Sequence, residues 1–311
     1  MVEVMLPLSL LVAAGAMWPR FFSDMSADAI EIMRTQLNRL VLYLFYPCIL
    51  FAVAATTKIS AALLSVPLLV GIGSLLSGGI LYLLLYRSPL GKNLGDGTRA
   101  ILLVGGMFGN TFNIGVPVLT FFYGPDAPRY AVFNDMLMTM PLVWSLGVWL
   151  CTRLGSHSDD RPQVWRVMLA MPPIWAFVAG TLVQQMDLAY PPLITATRFI
   201  GLATIPVILF VLGMTIPWHK LTPKPEILVV AAVKLLVTPL LVLFAAKTLF
   251  VPLGEAQLAA VVEGTMPVML TLLMLADRFK LDHAAAALLV GWSTILFWLT
   301  LPLLMAVGVV R

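Results

Sequence analysis

The sequence predicts an all-α integral membrane protein of ten transmembrane helices, built as two inverted five-helix repeats in which helices 4 and 9 are discontinuous and cross. Three observations predict it. Charged residues make up 11% of the chain, against about 25% in an ordinary soluble domain, and apolar residues make up 60%. Apolar runs of about 20 residues, enough to cross a hydrocarbon core of about 30 Å, recur along the whole length. The prolines, glycines and arginines that interrupt those runs match between the two halves of the chain.

The runs cover approximately residues 4–19, 36–55, 62–86, 98–123, 129–152, 165–186, 190–215, 226–250, 256–277 and 284–309. None shows the period-2 alternation of a membrane barrel, so helices are expected throughout. The connections are too short for a soluble domain. The first run follows Glu3 rather than a basic segment, and no small-residue cleavage site precedes "WPRFF", so it reads as a retained span and not a signal peptide. Cys48 and Cys151 fall in different runs and read as small buried apolar residues without a disulfide.

Charge sets the orientation. Arg20, Arg34, Arg87, Lys92, Arg99, Arg153, Arg161, Arg166, Lys220, Lys224, Arg278 and Lys280 flank one side of the membrane. The alternate connections and the tail hold Lys58, Arg129, Lys247 and Arg311. The positive-inside rule then puts both termini outside the cytoplasm of a multi-pass cell (inner) membrane protein. The mean hydropathy of +0.98 and pI of about 9.2 report this topology, and nucleic-acid binding is not needed to explain the basic balance.

The repeat rests on matched exceptions, because any two apolar spans share leucines. Span 2 reads "RLVLYLFYPCILF" and span 7 "RFIGLATIPVILF", with Arg39 and Arg198 each eight residues before Pro47 and Pro206. "PLVWSLGV" from Pro141 in span 5 matches "PLLMAVGV" from Pro302 in span 10. Pro7, Ala14 and Gly15 of span 1 match Pro172, Ala179 and Gly180 of span 6, and "GVPVLT" of span 4 matches "TMPVMLT" of span 9. Spans 3 and 8 pair by position alone. The repeats are thus residues 1–155 and 156–311, and because five is odd, the second copy must be inserted upside down, the plan of secondary transporters.

Span 4 contains "GGMFGNTFNIGVPVLTFFYG", rich in glycine and carrying Asn110, Asn113 and Pro117. Its partner is "EGTMPVMLT" around Pro267. Proline lacks an N–H and collides with the preceding turn, and glycine lets the backbone leave helical angles, so both spans are expected to break there. Backbone freed in hydrocarbon must face protein, water or ligand. Half-helices starting near Pro117 and Pro267 would point positive N-terminal ends inward and favour an anion. Asn110, Thr111, Asn113, Gly115, Glu263 and Thr265 are the substrate-binding candidates around the crossover.

Ionisable residues within spans are functional candidates. Lys234, roughly 12 Å along span 8, either completes the anion site or snorkels to the cytoplasm. Glu263 lies roughly 12 Å from the outer face, and a direct pair with Lys234 would need tilt. Asp135, beside Asn134, either carries a proton or faces protein at the interface; with Glu263 it is the candidate for proton or ion coupling. Arg39 and Arg198 read as snorkelling residues. His157, His219 and His283 have no ligand partner at helical spacing, so neither a metal site nor a cofactor is expected.

At these residues the chain resembles the auxin efflux carrier family of membrane transporters. The resemblance covers nearly the full length. "LLVAAGAMW" and "LNRLVLYLFYPCILF" are similar to the family's first two spans, "GNTFNIGVPVLTFFYG" to its fourth, and "MPVMLTLLMLADRFKLDHAAAALLVGWSTILFWLTLPLL" to its last two. The resemblance implies a fold like that of the bile acid and sodium symporters, with a scaffold part and a crossover part. It implies a cargo of organic anions, auxin in plants and malate or malonate in bacteria. The connection after span 5 is only about a dozen residues, which resembles the bacterial type. Phe112, Leu270 and Thr271 depart from the family pattern and leave the substrate and the coupling ion open.

The expectation is a carrier of a small organic anion, a carboxylate, by alternating access. Its partners would be that anion, a proton or sodium ion, and the bilayer, with a homodimer as candidate assembly. Alternatives are a sodium-coupled symporter of the bile acid type and a passive anion channel. No clustered set of catalytic side chains supports an enzyme.

Overall fold

The computed structural model describes residues 2–21, 26–156, 169–216, 218 and 221–310. The first residues of the predicted sixth span, with His157, Arg161, Arg166, His219 and Lys220, lie outside the described residues. Among those described the fold is all-helical, with no strand; a lone antiparallel bridge joins Gly109 and Val268.

The helices are α1 (Val2–Phe21), α2 (Asp28–Thr56), α3 (Ala61–Tyr86), α4 (Asp96–Met107), α5 (Gly115–Tyr123), α6 (Pro128–Gly155), α7 (Pro172–Gln185), α8 (Pro191–Thr215), α9 (Pro225–Leu249), α10 (Glu255–Gly264), α11 (Thr271–Arg278) and α12 (His283–Ala306). Six of them, α2, α3, α6, α8, α9 and α12, are long and apolar enough to cross a membrane. The predicted runs 98–123 and 256–277 are each split, into α4 and α5 and into α10 and α11.

Proline shapes three of the long helices in the same way. Each of the widened five-residue turns Val41–Phe45, Asp135–Thr139 and Val233–Val237 ends two residues before a proline, Pro47, Pro141 and Pro239. The missing proline N–H frees the carbonyl four residues earlier, which is the middle residue of each turn, and the ring pushes that carbonyl aside. The turn relaxes to i→i+5 bonding rather than breaking. In α9 the Thr238 hydroxyl adds a bond to the Val233 carbonyl at 3.2 Å.

The chain forms two compact units, and each draws on both halves of the sequence. The first comprises Met1–Ser60 and Trp165–Ile216. In it α1 packs on the second half of α8, and α2 packs on α7. Small residues let these backbones approach closely. A Cβ on Gly15 would run into the Phe210 carbonyl, one on Gly213 into the Val12 carbonyl, and one on Gly180 into Phe51 and Ala54.

The second unit comprises Ala61–Val164 and Pro217–Arg311. There α3 runs along α9 and α10, and α4 packs against α3, α6 and α12. Side chains tie its two ends. At the start of α10, Gln257 accepts from the Gly254 amide at 2.9 Å and donates to the Ser65 hydroxyl at 2.8 Å, while Tyr130 and Arg129 both reach Glu255. At the opposite end Asp282 caps α12 through the Ala285 amide and accepts from Thr98 on α4 at 2.8 Å. That double role accounts for the closing Asp of "LADRFKLD".

Candidate functional site

The two breaks meet. After α4 the chain extends at Phe108 and Gly109, and after α10 it extends through Met266–Met269. The Asn110 amide donates to the Pro267 carbonyl at 2.6 Å, and the Met269 amide donates to the Phe108 carbonyl at 3.3 Å. Two interrupted spans thus answer each other's open backbone with a short antiparallel ribbon, which is how non-helical chain persists at a depth without water.

Of the three partners expected for backbone freed in hydrocarbon, protein, water or ligand, the described residues show protein. The N-terminal ends are also more occupied than expected. Ahead of α5, the amides of Ile114, Val116 and Val118 bond to the carbonyls of Asn110, Phe112 and Ile114, so helical bonding reaches back past Pro117, the third residue of α5. Among the described residues the Thr111 and Asn113 amides have no hydrogen-bond acceptor. In the second break the half-helix starts at Thr271 rather than near Pro267, because Pro267 belongs to the ribbon. The Val268 amide is taken by the Ser293 hydroxyl of α12 at 3.1 Å, and among the described residues the Leu270 and Thr271 amides have no acceptor.

Lys234 stands against both breaks. It is 1% exposed, so it does not snorkel, and its Nζ donates to the Gly264 carbonyl at the end of α10 at 3.2 Å. A Cβ on Gly109 would lie 3.1 Å from Lys234 Cε and 3.2 Å from Nζ. Glycine there is what admits the lysine. Lys234 makes no ion pair with Glu263; the two are linked through neighbouring residues of α10.

Glu263 is fully buried. Its Oε2 accepts from Asn134 Nδ2 at 3.4 Å, while its Oε1 and the Asn134 Oδ1 have no hydrogen-bond partner among the described residues. Gly115 makes room for it: a Cβ there would sit 2.6 Å from Oε1. Asp135, 9% exposed, follows Asn134 in the widened turn of α6. From the same turn Thr139 shares a hydrogen bond with the Thr111 hydroxyl at 3.3 Å.

The remaining candidates divide. Asn113 donates to Asn110 Oδ1 at 2.8 Å, so the two carboxamides lock each other across the turn. Thr265 is buried, but its hydroxyl donates to the Val262 carbonyl at 2.7 Å and ends its own helix, which leaves only its lone pairs for a ligand. Ser293 and Thr139 escaped the sequence reading. Their signal was a lone hydroxyl inside an apolar span, which is common in membrane helices and does not single them out.

The arrangement can hold negative charge at Lys234 and at free amides, and can hold a proton or cation at the unpartnered oxygens of Glu263 and Asn134. A family model described as "membrane transport protein" matches residues 31–305. The chain belongs to this family, that of the auxin efflux carriers. Relatives in the transporter family include an "uncharacterized transporter" of Methanothermobacter thermautotrophicus, 27% identical over 270 residues that cover 86% of each chain. Another, also named an uncharacterized transporter, is from Methanocaldococcus jannaschii and is 24% identical over 290 residues, 90% of each chain. Membership makes the chain a multi-pass membrane transport protein.

Proposed function

We propose that this transporter is a carrier of a small organic anion, a carboxylate, and that it works by alternating access in the cell membrane with both termini outside the cytoplasm. The observation that carries the reading is Lys234, buried against both breaks. Protonated, it offers a charge-assisted donor to a carboxylate in a medium where the alternative partners are few. The free amides of Thr111 and Asn113 and of Leu270 and Thr271 add partial positive charge on either side of the ribbon.

The ten spans are read as two inverted repeats, residues 1–155 and 156–311. The corresponding breaks support this, as do the close contacts of Gly15 and Gly180, which hold matching positions in the two halves and each press on a neighbouring helix backbone.

Coupling is read as protonation of the cluster of Glu263, Asn134 and Asp135. Two buried acceptor oxygens without a donor favour a proton on that carboxylate or a cation beside it. The second reading, sodium coupling, draws on the same oxygens. Counterflow in proteoliposomes tests both: a carrier saturates and exchanges labelled for unlabelled dicarboxylate, whereas a channel passes current without saturation. Accumulation driven by a pH gradient without sodium favours the proton; accumulation that requires sodium favours the symporter.

A further inference from the structure

At the end of α3 the chain turns through Ser88 and a single 3-10 turn, Pro89–Gly91, before α4 begins. This loop folds back on the helix, since a Cβ on Gly91 would run into the Leu85 carbonyl. Arg99 holds it there: Nε donates to the Gly91 carbonyl at 2.9 Å and Nη2 to the Lys92 carbonyl at 3.4 Å, and the guanidinium lies 5.7 Å from the Tyr86 ring centre. Between helix end and loop is a cavity of about 300 Å³, lined among others by Tyr86, Arg87, Ser88, Lys92 and Arg99.

The electrostatics of this cavity are lopsided. Three of its lining residues are basic. The nearby carboxylate Asp96 is engaged by Arg99 at 3.3 Å, and among the described residues Arg87 and Lys92 have no ion pair. The Tyr86 hydroxyl is buried and has no hydrogen-bond partner among the described residues. Tyr82 and Tyr86 stack at 4.9 Å between ring centres on the last turns of an apolar helix. Stacked tyrosines at that position mark the level of the lipid headgroups.

We propose that this cavity binds a phosphate group, with Arg87 and Lys92 supplying the charge. A lipid phosphodiester and free phosphate share this chemistry, and both can reach a basic pocket at the membrane surface. None of the residues lining the cavity belongs to the crossover, so its ligand is independent of the cargo.

The test is native mass spectrometry of the full chain in detergent, titrated with phosphatidylglycerol, phosphatidylcholine or inorganic phosphate. The wild type is expected to retain phosphatidylglycerol in preference to phosphatidylcholine. Because both basic side chains are exposed, Arg87→Gln with Lys92→Gln should fold normally and lose about thirtyfold in that binding, at about 1 kcal/mol for each. Phosphatidylglycerol adducts that resist inorganic phosphate assign the site to lipid; displacement by phosphate, lost in the same variants, assigns it to the free ion. Equal retention of the two lipids, or adducts unchanged in the double variant and not displaced by phosphate, overturns the proposal.

Discussion

The Asn110 amide donates to the Pro267 carbonyl at 2.6 Å, joining residues 157 positions apart that each sit beside the break of a membrane span. Neither break is stable by itself in hydrocarbon, since its amides and carbonyls would be bare. Each is the other's solvent. The expected effects of substitution follow from what each residue contributes to that ribbon or to the polar groups around it.

Lys234→Met keeps the length of the side chain and removes its donor. The Gly264 carbonyl is left without its partner, and the proposed anion would be left without a cation. We expect the protein to fold with an unfolding midpoint lowered by a few degrees, and substrate KM to rise tenfold or more. Uptake titrated against a dicarboxylate measures this; an unchanged KM removes Lys234 from the substrate site.

Gly115→Ala places a methyl group 2.6 Å from a fully buried Glu263 oxygen. Overpacking of this kind costs about 1–3 kcal/mol. Gly97→Ala is the control, because its nearest contact would be at 3.6 Å. Thermal unfolding in detergent should separate the two, with the first destabilised and the second unchanged.

Ser293→Ala leaves the buried Val268 amide unsatisfied, at a cost of about 1–3 kcal/mol. Ser293→Thr retains the hydroxyl and should restore most of the stability. Equal stability of the alanine and threonine variants would mean that the second break does not depend on α12.

Pro117→Ala supplies an N–H four residues after the Asn113 carbonyl. The turn ahead of α5 is already helical, so the added bond stiffens it. Turnover is expected to fall severalfold while the unfolding midpoint stays within a few degrees, measured by counterflow and thermal unfolding on one preparation.

Much of this was legible in the sequence. Proline with nearby glycine marked both breaks, and Lys234 and Glu263 stood out as polar residues in apolar runs. What could not be read was how the breaks are satisfied. The ribbon, the Ser293 bond and the Asn134 bond join residues far apart in the chain, and a span's sequence carries no sign of its partner. The widened turns before Pro47, Pro141 and Pro239 follow from proline chemistry, but a kink or a break would have fitted the same letters. Nor does the sequence indicate that spans from both halves combine in each compact unit.

The central claim is that the paired breaks, with Lys234 against them, hold a small organic anion. Its most direct measurement is equilibrium binding of malonate and malate to the purified full-length protein, by titration calorimetry, with Lys234→Met alongside. Saturable binding of at least one dicarboxylate to the wild type is expected, weakened tenfold or more in the variant. Binding of equal strength in both proteins would contradict it.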